Sequence, residues 1–221
     1  MNAGGVGGVQ FPRWTNWLRV GLIVALLTGP PYLVLLVWLG GSPLTTDVGY
    51  QPEQPVPYSH ALHVGQLGID CRYCHTTVEQ AGFAAIPPSA TCLNCHQRIR
   101  TESPKLKPVW DAAAGGPPVA WVKVHDLPDY VYFNHSAHVR RGVGCESCHG
   151  RIDRQEVVRQ VAPLSMGWCL DCHRDPDPHL RPLEAVTAMG WTPAGDRRVL
   201  GRGLREAAGG APSVQCWTCH R

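Results

Sequence analysis

Cys71-Arg72-Tyr73-Cys74-His75 decides how this 221-residue chain folds, because it is one of five such stretches. The others are Cys92-Leu93-Asn94-Cys95-His96, Cys145-Glu146-Ser147-Cys148-His149, Cys169-Leu170-Asp171-Cys172-His173 and Cys216-Trp217-Thr218-Cys219-His220. Together they use all ten cysteines of the chain. Each reads C-x-x-C-H, the attachment signature of c-type haem. The chemistry explains the spacing. Two thiols add to the two vinyl groups on one side of the porphyrin, and the adjoining His turns its imidazole onto the iron as proximal ligand. Paired cysteines also occur as redox dithiols and as halves of zinc sites. A tetrahedral zinc site takes four ligands, usually from two such knuckles. An odd number of knuckles, each trailed by His, does not suit it. Five covalently bound haem c groups are expected, with the thiols spent as thioethers and no disulfide.

The composition agrees. Gly and Pro number 24 and 20, while Phe numbers only three and Tyr six, so the side chains alone make a thin core. Residues 43–221 leave about 36 residues per haem, and at that density the macrocycles are themselves the interior. The expected fold is a multihaem cytochrome c, mostly irregular, with short α-helices around stacked haems and one transmembrane helix at the N-terminus. A formal charge of +3 without a Lys/Arg run excludes nucleic acid as a partner. Seventeen of the 20 basic residues are Arg, whose planar fork suits carboxylates. Arg72, Arg140, Arg141, Arg151, Arg174 and Arg181 stand beside haem motifs, as partners for propionates or as ordinary solvated surface residues.

Val20 to Leu39 carries no charge over twenty residues and is long enough to cross a bilayer. Trp14, Trp17 and Trp38 fall near its ends, where interfacial aromatics belong. Arg13 and Arg19 precede it, and the next basic residue is Arg72. The positive-inside rule therefore puts the N-terminus in the cytoplasm and the rest outside. Haem attachment, which in bacteria takes place beyond the cytoplasmic membrane, leads to the same topology. A cleaved signal peptide is the other reading; Gly40-Gly41-Ser42-Pro43 is a poor cleavage site for it. Residues 1–42 are expected to be a cytoplasmic N-terminus and retained anchor in the inner membrane, and 43–221 a periplasmic pentahaem domain. Pro30-Pro31 should kink the anchor, which neighbouring helices of partner subunits would cover.

The haem region contains a repeat. Tyr58-Ser59-His60-Ala61-Leu62-His63 precedes Cys71, and Phe133-Asn134-His135-Ser136-Ala137-His138 precedes Cys145. Corresponding residues are offset by 75 (His60 to His135, His63 to His138), 74 (Cys71 to Cys145) and 77 (Cys92 to Cys169). Two di-haem modules, about 56–103 and 121–181, are expected, with a fifth haem on 182–221. Two His at i and i+3 share a helical face and can reach different irons. Once His75, His96, His149, His173 and His220 are spent as proximal ligands, six of the eleven His remain for five irons. His60, His63, His135 and His138 are the expected distal ligands, and His125 is the next. His179, in Asp175-Pro176-Asp177-Pro178-His179, is either a ligand or a solvent-facing or propionate-bonding residue. Met166 is either a ligand, which would raise the haem potential, or packing.

The aromatic-x-His-x-x-His element ahead of C-x-x-C-H resembles the class III multihaem cytochromes. The resemblance implies that the first His of each pair serves the haem that follows and the second a more distant one. The single N-terminal helix, the five motifs and the stretch from His125 through Leu-Pro-Asp-Tyr-Val-Tyr-Phe-Asn to His135 resemble the pentahaem subunit of bacterial alternative complex III over essentially the whole chain. That resemblance implies a multi-subunit membrane complex with an iron–sulfur subunit and polytopic quinol-binding subunits. It implies a chain that passes electrons from quinol to a mobile cytochrome c, a copper protein or a terminal oxidase. Such a subunit has no substrate of its own. Two other readings remain: a direct quinol dehydrogenase of the small membrane-anchored multihaem type, and a multihaem reductase with one open haem. Against the former, about thirty residues separate Leu39 from Cys71 and no quinone-site signature is present.

Overall fold

The computed structural model describes residues 11–220 of the protein, in two units divided at Thr45/Thr46. The expected cytoplasmic placement of the first ten residues lies outside the described residues. In the N-terminal unit a 3-10 turn, Arg13–Thr15, leads into helix α1, Asn16–Gly40. At the helical rise its 25 residues extend roughly 37 Å, more than a bilayer core. Within Arg13–Gly40 an 18-residue window reaches a mean hydropathy of 2.2, and none of that window is buried. By length and composition it can cross a membrane. Pro30 and Pro31 lie inside α1. Without N–H groups they cannot bond to the carbonyls of Leu26 and Leu27, yet the helix continues through them. A single turn, α2 (Pro43–Thr46), follows.

The second unit, Thr46–Arg221, is built from short helices and irregular chain. Its described residues form no strand, only the isolated bridges Val131–His220 and Val143–Leu180. The helices are α3 (Cys71–Cys74), α4 (Ser89–His96), α5 (Lys107–Ala113), α6 (His135–Val139), α7 (Glu146–His149), α8 (Met166–Arg174), α9 (Arg197–Ala207) and α10 (Cys216–Cys219). Five of these carry the C-x-x-C-H motifs. One helical turn sets residues i and i+3 on one face, so a single turn is enough to present both thiols together. Side-chain caps start three of the functional turns. Asp70 accepts from the Arg72 N–H ahead of α3, Asn134 from Ala137 in α6, and Ser165 from Trp168 in α8.

The apolar residues buried by protein alone are Val56, Val78, Val109, Val124, Ala162, Leu180, Ala185 and Val186. No aromatic residue is among them. Small aliphatics of this kind do not bury enough surface to order a unit of this size, while Phe83, Ile86, Met166 and Trp217 stay exposed beside the motifs. The interior depends on a large apolar group the chain itself does not supply.

The two modules pack by exchanging contacts. The backbone N–H of Ala61, within the π-helical turn Ala61–Gln66, donates to Gln155 O at 3.0 Å. The N–H of Ser136, in α6, donates to Ala81 O at 3.1 Å. Ser136 is the repeat equivalent of Ala61, and Ala81 that of Gln155. Each module's His pair therefore docks on the segment that follows the other module's first motif. These reciprocal contacts relate the two copies by a pseudo-twofold axis, and the thiols of Cys71 and Cys145, also repeat equivalents, lie close enough to shift each other's proton affinity.

Candidate metal centres

Seven histidines are held in one tautomeric arrangement. His63 Nδ1 meets Ser59 O and His138 Nδ1 meets Asn134 O, both at 2.8 Å and at repeat-equivalent positions. His135 Nδ1 lies 2.8 Å from Gly82 O. Among the motif histidines, His75 Nδ1 is 2.7 Å from Ala85 O, His96 Nδ1 3.0 Å from Ile99 O, His173 Nδ1 2.7 Å from Ser213 O and His220 Nδ1 3.2 Å from Tyr130 O. A backbone carbonyl accepts only from a protonated Nδ1. The lone pair is then on Nε2, the form that binds a metal.

The rings are paired as well. His63 and His96 have ring centres 6.2 Å apart, His138 and His173 6.0 Å, and His135 and His149 6.5 Å with planes only 9° from parallel. Imidazole–metal bonds are about 2 Å long, so two imidazoles trans on one metal put their ring centres roughly 6 Å apart. His60 sits close enough to His75 for charge on one to disfavour charge on the other. The first His of each pair thus meets the first motif of its module, and the second His meets the second motif.

An aromatic ring two residues ahead of each pair fixes both imidazoles. Tyr58 stacks on His63 at 4.4 Å and meets His60 edge-on at 4.8 Å. Phe133 stacks on His138 at 4.5 Å and meets His135 edge-on at 4.7 Å. The sequence shows these aromatics as part of the repeat, but not that they pack between the ligands.

Burial favours the neutral form of His60, His125, His138 and His149. Desolvation, then neighbouring His75 and His63, brings the His60 pKa down to about 4. Desolvation, then His125 and His135 foremost among several imidazoles, brings His149 to about 3. His125 and His138 are lowered chiefly by burial. His60 Nδ1, His149 Nδ1 and His125 Nε2 are buried without a hydrogen-bond partner. No group of three or more His, Cys, Asp or Glu is gathered around one point among the described residues. The donors come in twos, as trans ligands of a porphyrin iron must, and not in the fours of structural zinc. The residues therefore fit haem.

Cysteines of different motifs lie near one another: charge on Cys92 disfavours charge on Cys74, Cys145 acts so on Cys71, Cys172 and Cys169 on Cys148, and Cys219 on Cys169. No two of the ten cysteines are bonded to each other.

The remaining candidates are placed differently. The His125 ring packs edge-on against His149 at 4.4 Å, closer than trans ligands of one metal stand. His179 is exposed in the 3-10 turn Asp177–His179, and Met166 is 67% exposed. The ring that approaches His220 is the Tyr130 phenol, at 5.7 Å. Of the arginines, Arg72 pairs with Asp70 and Glu79, and Arg151 with Asp153. Arg140 donates to Glu79 O and Arg141 to Ala208 O. Arg181 is buried.

Comparison with known proteins bears on this arrangement. Residues 131–221, which hold the second His pair and the last three motifs, match the family of cytochrome c7 and related cytochrome c. The multihaem cytochrome c subunit of menaquinone reductase from Nitratidesulfovibrio vulgaris (strain Hildenborough) is 33% identical over 137 residues. That match covers 62% of this chain and 59% of the relative, so the chain spans less than two thirds of its length. The fold class is that of a multihaem cytochrome, whose haem c is covalently bound.

Proposed function

We propose that this chain is a pentahaem electron relay, the cytochrome subunit of a membrane complex that exchanges electrons with quinone. The observation that carries the proposal is the pairing of imidazoles at trans-ligand separation beside the cysteine pairs. When bound, haem c supplies a one-electron ferric/ferrous couple. The protein supplies attachment, axial imidazoles and spacing. Cys71/Cys74, Cys92/Cys95, Cys145/Cys148, Cys169/Cys172 and Cys216/Cys219 hold five groups. His60 with His75, His63 with His96, His135 with His149 and His138 with His173 clamp four irons. The adjacency of the thiols orders the path by motif as Cys92, Cys71, Cys145, Cys169, Cys216. Helix α1 anchors the chain in the inner membrane, with the haem-bearing unit on the periplasmic side.

The layout of anchor, five motifs and His125-to-His138 stretch favours alternative complex III, with electrons leaving quinol through an iron–sulfur subunit toward a periplasmic acceptor. A second reading runs the current the other way. It rests on the relative, which is named a subunit of menaquinone reductase. Purifying the tagged chain from its native membrane tests the proposal. Five haem c per chain, copurifying with an iron–sulfur protein and polytopic subunits, is the expected result. A chain that purifies alone and oxidises quinol unaided overturns it. Whether quinol reduces the haems, or reduced haems deplete the quinone, separates the two directions.

A further inference from the structure

The two central sites are related by the repeat but not by charge. Immediately before Cys71 stands Asp70; immediately before Cys145, its equivalent, stands Gly144. The space a side chain would need at Gly144 is filled by Arg181. A Cβ on Gly144 would lie 2.2 Å from Arg181 Nε and 2.3 Å from Cζ. The backbone holds the guanidinium there. Arg181 N donates to Gly142 O at 2.8 Å, Val143 and Leu180 form a bridge, and Cys145 N donates to Val186 O at 3.0 Å.

Arg181 is only 5% exposed, and its Nε is buried without a partner. One terminal nitrogen donates to Ala188 O at 2.9 Å. The other is 3.9 Å from Glu146, a carboxylate that also lies 4.0 Å from Arg151 and accepts from Gly190 N–H at 2.7 Å. Trp191 lies beneath Arg181 at 5.4 Å and beneath Arg197 at 5.8 Å. Arg151 and Arg181 thus flank Glu146, Asp153 pairs with Arg151, and Arg197 shares Trp191 with Arg181, which leaves the surroundings of Cys145 net positive. Around Cys71 there is no such surplus: Asp70 and Glu79 share Arg72, and Arg140 donates to the Glu79 carbonyl.

We propose that buried Arg181 raises the reduction potential of the haem attached at Cys145/Cys148 above that of its repeat partner at Cys71/Cys74, biasing the electron across the pseudo-twofold axis. A fixed positive charge in a low-dielectric setting favours the ferrous state, which carries one positive charge fewer than the ferric. Arg181 is a positioning residue for charge and not an iron ligand. The inference rests on the relay reading above for the presence of both haems.

The test is an EPR-monitored redox titration of the full-length protein, with the two central haems assigned by the signals lost in His60→Ala and His135→Ala. In Arg181→Gln, the oxidised-to-reduced ratio of the Cys145/Cys148 haem at fixed potential should rise about tenfold, a fall of roughly 59 mV for one electron. Arg181→Lys should restore most of it. Glu146→Gln, which removes the facing carboxylate and keeps an acceptor for Gly190, should shift the same haem the opposite way. Glu146→Gln stands as the independent test should Arg181→Gln not fold. If five haems are present and none of these potentials moves, this inference falls and the relay reading stands. Absence of haem at Cys145/Cys148 in the wild type overturns both.

Discussion

His63 and His138 are each locked three ways: by a carbonyl on Nδ1, by a stacked aromatic ring and by a facing imidazole at about the trans-ligand separation. Replacing either with Ala should convert one low-spin haem to high spin in the EPR spectrum. Met166→Ala and His179→Ala, at exposed positions, should leave the spectrum as it was. A spectrum unchanged in His138→Ala removes that residue from the ligand set. His220 differs, because its ring neighbour is Tyr130. Carbon monoxide should therefore bind one haem in five. If it binds none, an imidazole such as His125 or His179 closes that iron. The proximal residues were legible in the sequence because thioether chemistry demands five contiguous positions. The paired histidines His60/His63 and His135/His138 were legible as a unit because a repeat preserves spacing. Arg181 was not. It stands eight residues after His173, yet the fold returns it to Gly144, and no local pattern encodes that return.

At the scale of elements, the motif helices need little from their neighbours, since one turn presents both thiols. Helix α9 is different, being fastened to the Asp177–His179 turn. Arg205 Nε donates to Asp177 at 2.6 Å, Asp196 caps the helix by accepting from Val199 N–H at 2.9 Å, and Gly201 packs against the Asp177 carbonyl. A Cβ at Gly201 would fall 1.8 Å from that oxygen. Gly201→Ala should cost about 2 kcal/mol or more by forcing helix and turn apart, read as a lower guanidinium midpoint. Gly203→Ala, with open space around it, is the control and should be neutral or slightly stabilising. An equal loss in both variants would locate the effect in the helix and not in its docking. The sequence gives no sign of this docking, because the contact is between a glycine and a backbone carbonyl. The apolar helix α1, by contrast, is legible, since an uncharged apolar run needs no partner to be read.

Across the whole molecule, the expected attachment sites follow from motif count, but their order in space does not. The chain visits the Cys71 motif before the Cys92 motif, whereas adjacency puts Cys71 beside Cys145. Constant offsets reveal the duplication, yet they do not show that the two copies trade segments. That trade has a mechanical consequence. The halves grip each other through Ala61 with Gln155 and Ser136 with Ala81, so the peptide joining them is not what holds them together. Gly115-Gly116-Pro117-Pro118, exposed between them, is expected to tolerate a protease cut. The nicked protein should still elute from a sizing column as one particle, two clasped hands whose string has been severed.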